Sequence, residues 1–323
     1  MDVAAYIVRR LLGLIPALFV ITLIGFLLMH AMPGNAFEAL VFNPHLQGGD
    51  AVYRRLVSEN GLNESLPVQY FDWIRNLLRG NLGISYSLNR PVSELIATYL
   101  PNTLLLAATA ECIILAVSIP VGLYQARHVN GPFDMVSSFV VVLLYSIPGF
   151  VFALLLLDLF SFTFHLLPSS GTVTPGVVWS GGLDDRLTHL ILPALALALP
   201  GLAYYTRLAR GAGLQVIVAD FVRTARAKGL RGPGVLFHHV LRNAVIPLIA
   251  QFGLDLGGLF GGAVILEQIF TWPGMGELSI NASLNRDYPL ILGTTLFFAV
   301  AVLFGNLIAD ILLAFADPRV RRD

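Results

Sequence analysis

Apolar stretches alternate with short polar ones along this chain, and six of them approach or exceed the roughly 20 helical residues that cross a hydrocarbon layer. They run from Leu11 to Met29, Thr103 to Gly122, Phe133 to Phe160, Leu187 to Leu208, Ala244 to Phe270 and Pro289 to Ala314. The pattern predicts an all-α integral membrane protein of six transmembrane helices. It also divides the chain into a first span at 1–30, an extramembrane segment at 31–100, a five-span core at 101–316 with a basic loop at 217–243, and a tail at 317–323. Arg9 and Arg10 precede the first apolar run as in a secretory signal, but the run is long and no small-residue cleavage site follows it. An uncleaved first helix is expected.

Periodicity adds detail to three regions. Leu66 to Leu78 spaces Tyr70, Trp73 or Ile74, and Leu77 as an amphipathic helix does, with Pro67 suited to its first turn. Such a helix can lie on the bilayer surface, serve as a platform for an extracytoplasmic partner, or do both. In the third span, Ser146-Ile147-Pro148-Gly149 predicts a kink or local unwinding, with a bend lining a pathway as the functional alternative. In the fifth, Gly253, Gly257 and Gly261 recur every four residues beside Gly258 and Gly262, a spacing that lets another helix approach closely. That helix can belong to this chain or to a second subunit.

Composition agrees with a bilayer setting: of 323 residues, 56% are hydrophobic and 12% charged, and the mean hydropathy is +0.75. The formal net charge of zero gives no reason to expect a nucleic-acid partner. Cys112 is the single cysteine, which excludes an intrachain disulfide. Charge placement then sets orientation. With six spans, Arg9, Arg10, Arg127, Arg207, Arg210, Arg223, Arg226, Lys228, Arg231, Arg242 and the tail Arg319, Arg321 and Arg322 share one side, while Arg186 and Arg286 lie in the opposite short loops. Basic short loops stay cytoplasmic. Both termini are therefore expected in the cytoplasm and residues 31–100 outside it.

Enzyme classes find little support. A P-loop needs glycines followed by Gly-Lys-Ser or Gly-Lys-Thr, and the sole lysine, Lys228, stands between Ala227 and Gly229. Any ATP-driven role requires another subunit. The seven histidines form no His-Glu-x-x-His pattern, and no Gly-x-Ser-x-Gly elbow is present. Acids within the spans are Glu111, Asp158, Asp255, Glu267 and Asp310. Asp158, Glu267 and Asp310 approach span ends, where interhelical hydrogen bonding or water accounts for them; Glu111 and Asp255 sit deeper and are candidates for a pathway or for proton coupling.

The basic loop contains a short amphipathic helix. Val218, Phe221, Val222, Ala225 and Gly229 gather on about a third of its circumference, with Arg223 and Arg226 on the far side. Gly229 and Gly232-Pro233-Gly234 end it and turn the chain, and Val235 to Asn243 resumes as a second helix. A basic helix of this kind can rest on anionic lipid. It can also insert into a cleft on a cytoplasmic partner, with Ala225 and Gly229 permitting close approach.

Ala225, three residues, Gly229, nine residues and then His239-Val240-Leu241 resembles the EAA coupling loop of permease subunits in binding-protein-dependent ABC importers. Phe221 to Leu230 with Leu241-Arg242-Asn243-Ala244 is similar to the peptide/nickel branch, the dipeptide and oligopeptide permeases. Further landmarks of that branch are Arg9-Arg10-Leu11-Leu12 with Pro33-Gly34, Gly80-Asn81-Leu82-Gly83, Leu100-Pro101-Asn102-Thr103, Leu167-Pro168-Ser169-Ser170-Gly171, Trp272-Pro273-Gly274-Met275-Gly276, Arg286-Asp287-Tyr288-Pro289 and Asp317-Pro318-Arg319. The general EAA pattern has glutamate at Arg223, alanine at Thr224 and proline at Arg242, and the branch often has aspartate at Asn35 and Asn81.

The resemblance implies the type I ABC importer permease fold in a bacterial cytoplasmic (inner) membrane. It implies a sister permease, two ATPase subunits and an extracytoplasmic substrate-binding protein as partners, beside membrane lipid. ATP and magnesium would be held by the ATPases, with no cofactor and no catalytic residue in this chain. Coupling would run through Asp220, Phe221, Arg223, Thr224, Ala225, Arg226, Lys228, Gly229, His239 and Leu241. The residue pattern itself offers Gly253, Gly257, Gly258, Gly261 and Gly262 for helix packing or a permease interface, and Glu111, Ser146, Pro148 and Asp255 for a pathway. Substrates implied are dipeptides, oligopeptides, glutathione-like peptides or nickel chelates. The alternative from another class is a secondary carrier driven by protons through Glu111 or Asp255.

Overall fold

Proline chemistry and helix length organise the computed structural model, which describes residues 3–31, 37, 49–174, 182–230 and 232–316. Helix α1 (Val3–Ala31) leads into a segment containing α2 (Gly49–Glu59) and α3 (Leu66–Leu78). The membrane core follows as α4 (Val92–Arg127), α5 (Pro132–Ser146), α6 (Gly149–Leu156), α7 (Leu183–Ile217), α8 (Asp220–Ala227), α9 (Gly232–Val235), α10 (Arg242–Ile269), α11 (Met275–Leu284) and α12 (Tyr288–Ala316). Two π-wound turns extend shorter helices: Leu157–Thr163 prolongs α6, and Leu236–Leu241 joins α9 to α10. Pro33-Gly34, Asn35, Arg231 and the tail from Asp317 lie outside the described residues, as do the side-chain surroundings of Arg9, Arg10, Gly257, Gly258 and Gly262.

Four described helices are long and apolar enough to cross a bilayer: Leu12–Ala31 within α1, α4, α7 and Tyr288–Leu312 within α12. The α5 and α6 pair makes a fifth if its two arms count as one span. The remaining expected span, Ala244 to Phe270, falls almost wholly within α10, a continuous helix of 28 residues. Phe133 to Phe160 is not one straight helix but two arms bent by 100°. Pro148 lacks an N–H and disfavours helical geometry at the preceding residue, and Ile147 accordingly adopts φ −96 and ψ 126. The break expected at Ser146-Ile147-Pro148-Gly149 is present.

Helices α4 and α7 pack along most of their length at the centre of the molecule. Their backbones come so close that a Cβ added at Gly122 would sit 2.6 Å from the Thr206 carbonyl oxygen. α10 packs against α7 and α12, and α1 covers the outer face of α12. Leu12, Ile15, Phe19, Ile24, Leu27 and Leu28 on α1 are exposed, as suits a helix whose free face meets lipid rather than water.

Three apolar clusters stack through the bundle. One joins Phe26, Met29, Tyr70, Val92, Leu95, Met275, Leu278 and Leu290 at the end remote from the basic loop. A middle one joins Leu106, Ala153, Leu190, Leu192, Phe270 and Trp272. The last, at the basic loop, joins Ile114, Leu123, Tyr205, Val222, Val235, Val240, Ala244 and Leu248. The amphipathic face of α3 belongs to the first cluster. Tyr70 is buried, its hydroxyl lies 3.1 Å from Thr22 Oγ1, and Trp73 and Ile74 pack beside it. That face therefore meets protein, whereas Phe71 and Leu78 on the same helix are exposed.

Candidate functional site

The basic loop has a defined inner and outer face. Val222 (0% exposed) and Ala225 (5%) are one helical turn apart and both buried, and Val222 packs in the apolar cluster with Leu123, Tyr205, Val235 and Val240. Val222 is thus the seat of α8 on this chain's own bundle, and Ala225 is buried beside it. Asp220, Phe221, Arg223, Thr224, Arg226 and Lys228 all face outward. Asp220 and Arg223 lie 3.5 Å apart at the surface, a pairing of little energetic weight, and the Thr224 hydroxyl donates to the Asp220 carbonyl at 3.0 Å.

Gly229 ends this helix in a left-handed turn with φ +84. The Leu230 N–H donates to the Ala225 carbonyl at 3.3 Å and the Gly229 N–H to the Arg226 carbonyl at 3.0 Å, the paired bonds of a Schellman cap. A Cβ at Gly229 would meet nothing within 4 Å. Glycine is required there for its backbone angle and not for space. Beyond the turn, Val235 and Val240 are buried, while His239 and Leu241 are half-buried and His238 is exposed. The Asn243 side chain donates to the His239 carbonyl at 2.8 Å, which fixes the passage into α10.

An ion pair missed in the sequence braces the same end of the bundle. Arg210 on α7 donates twice to Asp134 in the first turn of α5, at 2.8 and 2.9 Å. Asp134 is buried and also accepts from the Asn130 N–H at 2.9 Å. The bidentate geometry fixes both helices at one crossing. The available signal was an aspartate two residues after Pro132, but nothing in the sequence named Arg210 as its partner.

Glu111 and Asp255 line one cavity of about 560 Å³. α4 contributes Glu111 and Ile114; the broken span contributes Tyr145, Gly149 and Phe150; α7 contributes Pro200, Gly201, Tyr204 and Tyr205; and α10 contributes Gln251, Asp255 and Ile265. Asp255 accepts from Gln251 at 2.8 Å, and Gln251 accepts from Tyr204 at 3.1 Å. Glu111 is 6% exposed, and neither carboxylate oxygen has a hydrogen-bond partner among the described residues. Ser146 and Pro148 are not part of the lining. They act one residue away, by creating the break that presents Tyr145 and Gly149; the Ser146 hydroxyl is occupied with the Val142 carbonyl at 2.8 Å.

Of the fifth-span glycines, Gly253 faces this chain's own α12, where a Cβ would have no room against Ala309. A Cβ on Gly261 would meet nothing within 4 Å. The two therefore serve different surfaces.

At the opposite end, several landmarks of the sequence meet one another. Glu267 is buried and accepts from the Thr103 hydroxyl at 2.7 Å and the N–H groups of Gly276 and Glu277 at 2.6 and 3.2 Å. Trp272 Nε1 donates to the Asn102 carbonyl at 3.1 Å, and the Asn102 side chain donates to the Pro273 carbonyl at 2.8 Å. Buried Asp287 accepts from the Ser85 and Ser87 hydroxyls at 2.6 and 2.7 Å and from the Ser87 N–H at 2.9 Å. Tyr86 lies between those serines. Its phenol is pushed up to about 12, first by burial and then by the nearby Asp287 carboxylate. Burial also raises Glu277 above the usual carboxylate range. Asp158 is exposed, as its place near a span end suggested.

Comparison with known proteins accounts for these shared landmarks. Residues 118–322 match the family described as the inner membrane component of binding-protein-dependent transport systems. Residues 3–107 match the N-terminal unit of the same membrane components. The chain is 42% identical to the oligopeptide transport system permease protein AppB of Bacillus subtilis (strain 168), over 98% of this chain and 99% of that one. It is 38% identical to a putative peptide permease protein of Brucella suis, over 98% of both chains. It is 34% identical to the glutathione transport system permease protein GsiC of Escherichia coli (strain K12), again over 98% of both. A protein whose two matched regions cover nearly its whole length, and whose relatives align end to end, belongs to the inner-membrane permease components of binding-protein-dependent transport systems.

Proposed function

We propose that this chain is one of the two permease subunits of an ATP-driven importer for peptides, the substrate being handed over by an extracytoplasmic binding protein. The observation that carries the reading is the end-to-end similarity to relatives named for oligopeptide and glutathione transport. In this reading six spans cross the membrane, both termini are cytoplasmic, and residues 31–100 lie outside, where α3 and the Asp287 network hold them against the span ends. The binding-protein-dependent character of the family favours this reading over the proton-driven carrier.

Two ATPase subunits dock underneath and hold ATP and magnesium; this chain contributes no catalytic group. Its contribution is α8. The exposed side chains Asp220, Phe221, Arg223, Thr224, Arg226 and Lys228 form the face offered to an ATPase, and buried Val222 transmits its displacement to α4, α7 and α10. Such transmission requires α8 to move as a unit with the bundle. Gly229→Trp breaks that unit at its cap, so uptake falls at least about tenfold while ATP hydrolysis by the assembled transporter continues and membrane insertion is normal. Wild-type uptake and coupling in that variant would contradict the assigned role of α8.

A further inference from the structure

Two carboxylates face the cavity at the broken span, and no basic side chain is among its lining residues. Glu111 is the more exacting case. It is nine-tenths buried with both oxygens unpartnered, a costly arrangement unless a cation or a proton arrives to complete it. The remaining walls are aromatic and apolar, including Tyr145, Tyr204 and Phe150. A dehydrated calcium or magnesium ion needs about six or more oxygen ligands, and such walls are a poor source of them. An organic ammonium needs less. Two carboxylates and aromatic faces supply both its charge partner and its packing surface.

Resting on the peptide reading above, we infer that this cavity is a subsite for the α-ammonium end of the peptide in transit. Glu111 takes the charge and Asp255, held by Gln251, receives its second hydrogen bond. The apolar body of the peptide lies against Tyr145, Phe150 and Tyr204. The volume of about 560 Å³ lies within the usual range of small-ligand cavities. The bend at Ile147 and Pro148 acquires a purpose here, because a straight α5 would not turn Tyr145 and Gly149 onto the same space.

The test compares radiolabelled tri-alanine with its N-acetylated form, each at a concentration that saturates the binding protein. Uptake is measured in proteoliposomes that carry the complete transporter. The wild type is expected to take up the free peptide about tenfold better, the scale set by loss of one charge-assisted hydrogen bond. Glu111→Gln and Asp255→Asn should each bring that ratio close to one, and Glu111→Asp should restore a preference. Co-purification with the partner subunits checks assembly of each variant. An unchanged ratio in either assembled variant overturns the subsite. An equal fall for both peptides also overturns it, and points to a structural role or to a basic side chain of the sister permease filling the cavity. A wild-type transporter that takes up neither peptide contradicts the peptide reading itself, a result separable from the other two.

Discussion

Gly229 shows how one residue carries a mechanical role. Its φ of +84 costs a residue with a Cβ about 1–2 kcal/mol, although the space around it is open. Because the cost lies in the backbone angle and not in space, Gly229→Ala should impair coupling to much the same degree as Gly229→Trp, read from uptake per ATP hydrolysed. Ala225 behaves differently because it is buried. Ala225→Leu overpacks the buried face of α8, at a cost of about 1–3 kcal/mol, and should expose the loop to limited proteolysis. Glu267 is a third case. Glu267→Ala would strand the donors of Thr103, Gly276 and Glu277, each at about 1–3 kcal/mol. A clear drop in thermal midpoint is expected, with Glu267→Gln falling less. The sequence signalled Gly229 through its spacing, but it presented Ala225 as a residue for a partner. Periodicity identifies an apolar face without saying which protein covers it.

At the scale of elements, proline made the break at Ile147 and Pro148 legible, because a missing N–H acts locally. The bend of 100° was not, since its size depends on how α5 and α6 pack against α7. The same limit applies to α3: its amphipathic face was evident from Tyr70, Trp73 and Ile74, yet only the fold shows that face closing on α1 through Thr22. The loop containing Ser85, Tyr86 and Ser87 had no periodicity to read, and its anchor on Asp287 lies about 200 positions away in the chain. That anchor has a pH signature. Tyr86 ionises near 12 when folded, against 10 for a free phenol. Between those values the unfolded loop loses its proton and the docked loop keeps it, so docking is fully stable below pH 10 and weakens as pH rises toward 12. The difference in ultraviolet titration between wild type and Tyr86→Phe should show one phenol ionising near the upper value. Ionisation near 10 would contradict a docked loop.

For the whole molecule, composition and the spacing of apolar runs pointed to an all-α membrane protein, and motif order pointed to the family that the comparisons show. What they left open was how distant motifs meet. Asn102, Trp272 and Pro273 join α4 to the turn after α10, Glu267 joins the same pieces from within, and Glu111 and Asp255 converge on one cavity from separate helices. Such meetings are tertiary facts, set by the close packing of α4 with α7 and of α10 with α12. They give the molecule two ends of different character: a hydrogen-bonded cap remote from the basic loop, and a loop end where α8 rests on apolar contacts with its polar side chains exposed. The central claim is that movement at the loop end, driven by ATP on other subunits, admits a peptide from the capped end. Labelled tri-alanine uptake in proteoliposomes holding this chain, its sister permease, both ATPases and the binding protein tests it most directly. The account predicts uptake that requires ATP and binding protein and persists when a protonophore collapses the proton gradient. Uptake that continues with inactive ATPases and stops with the protonophore would contradict it.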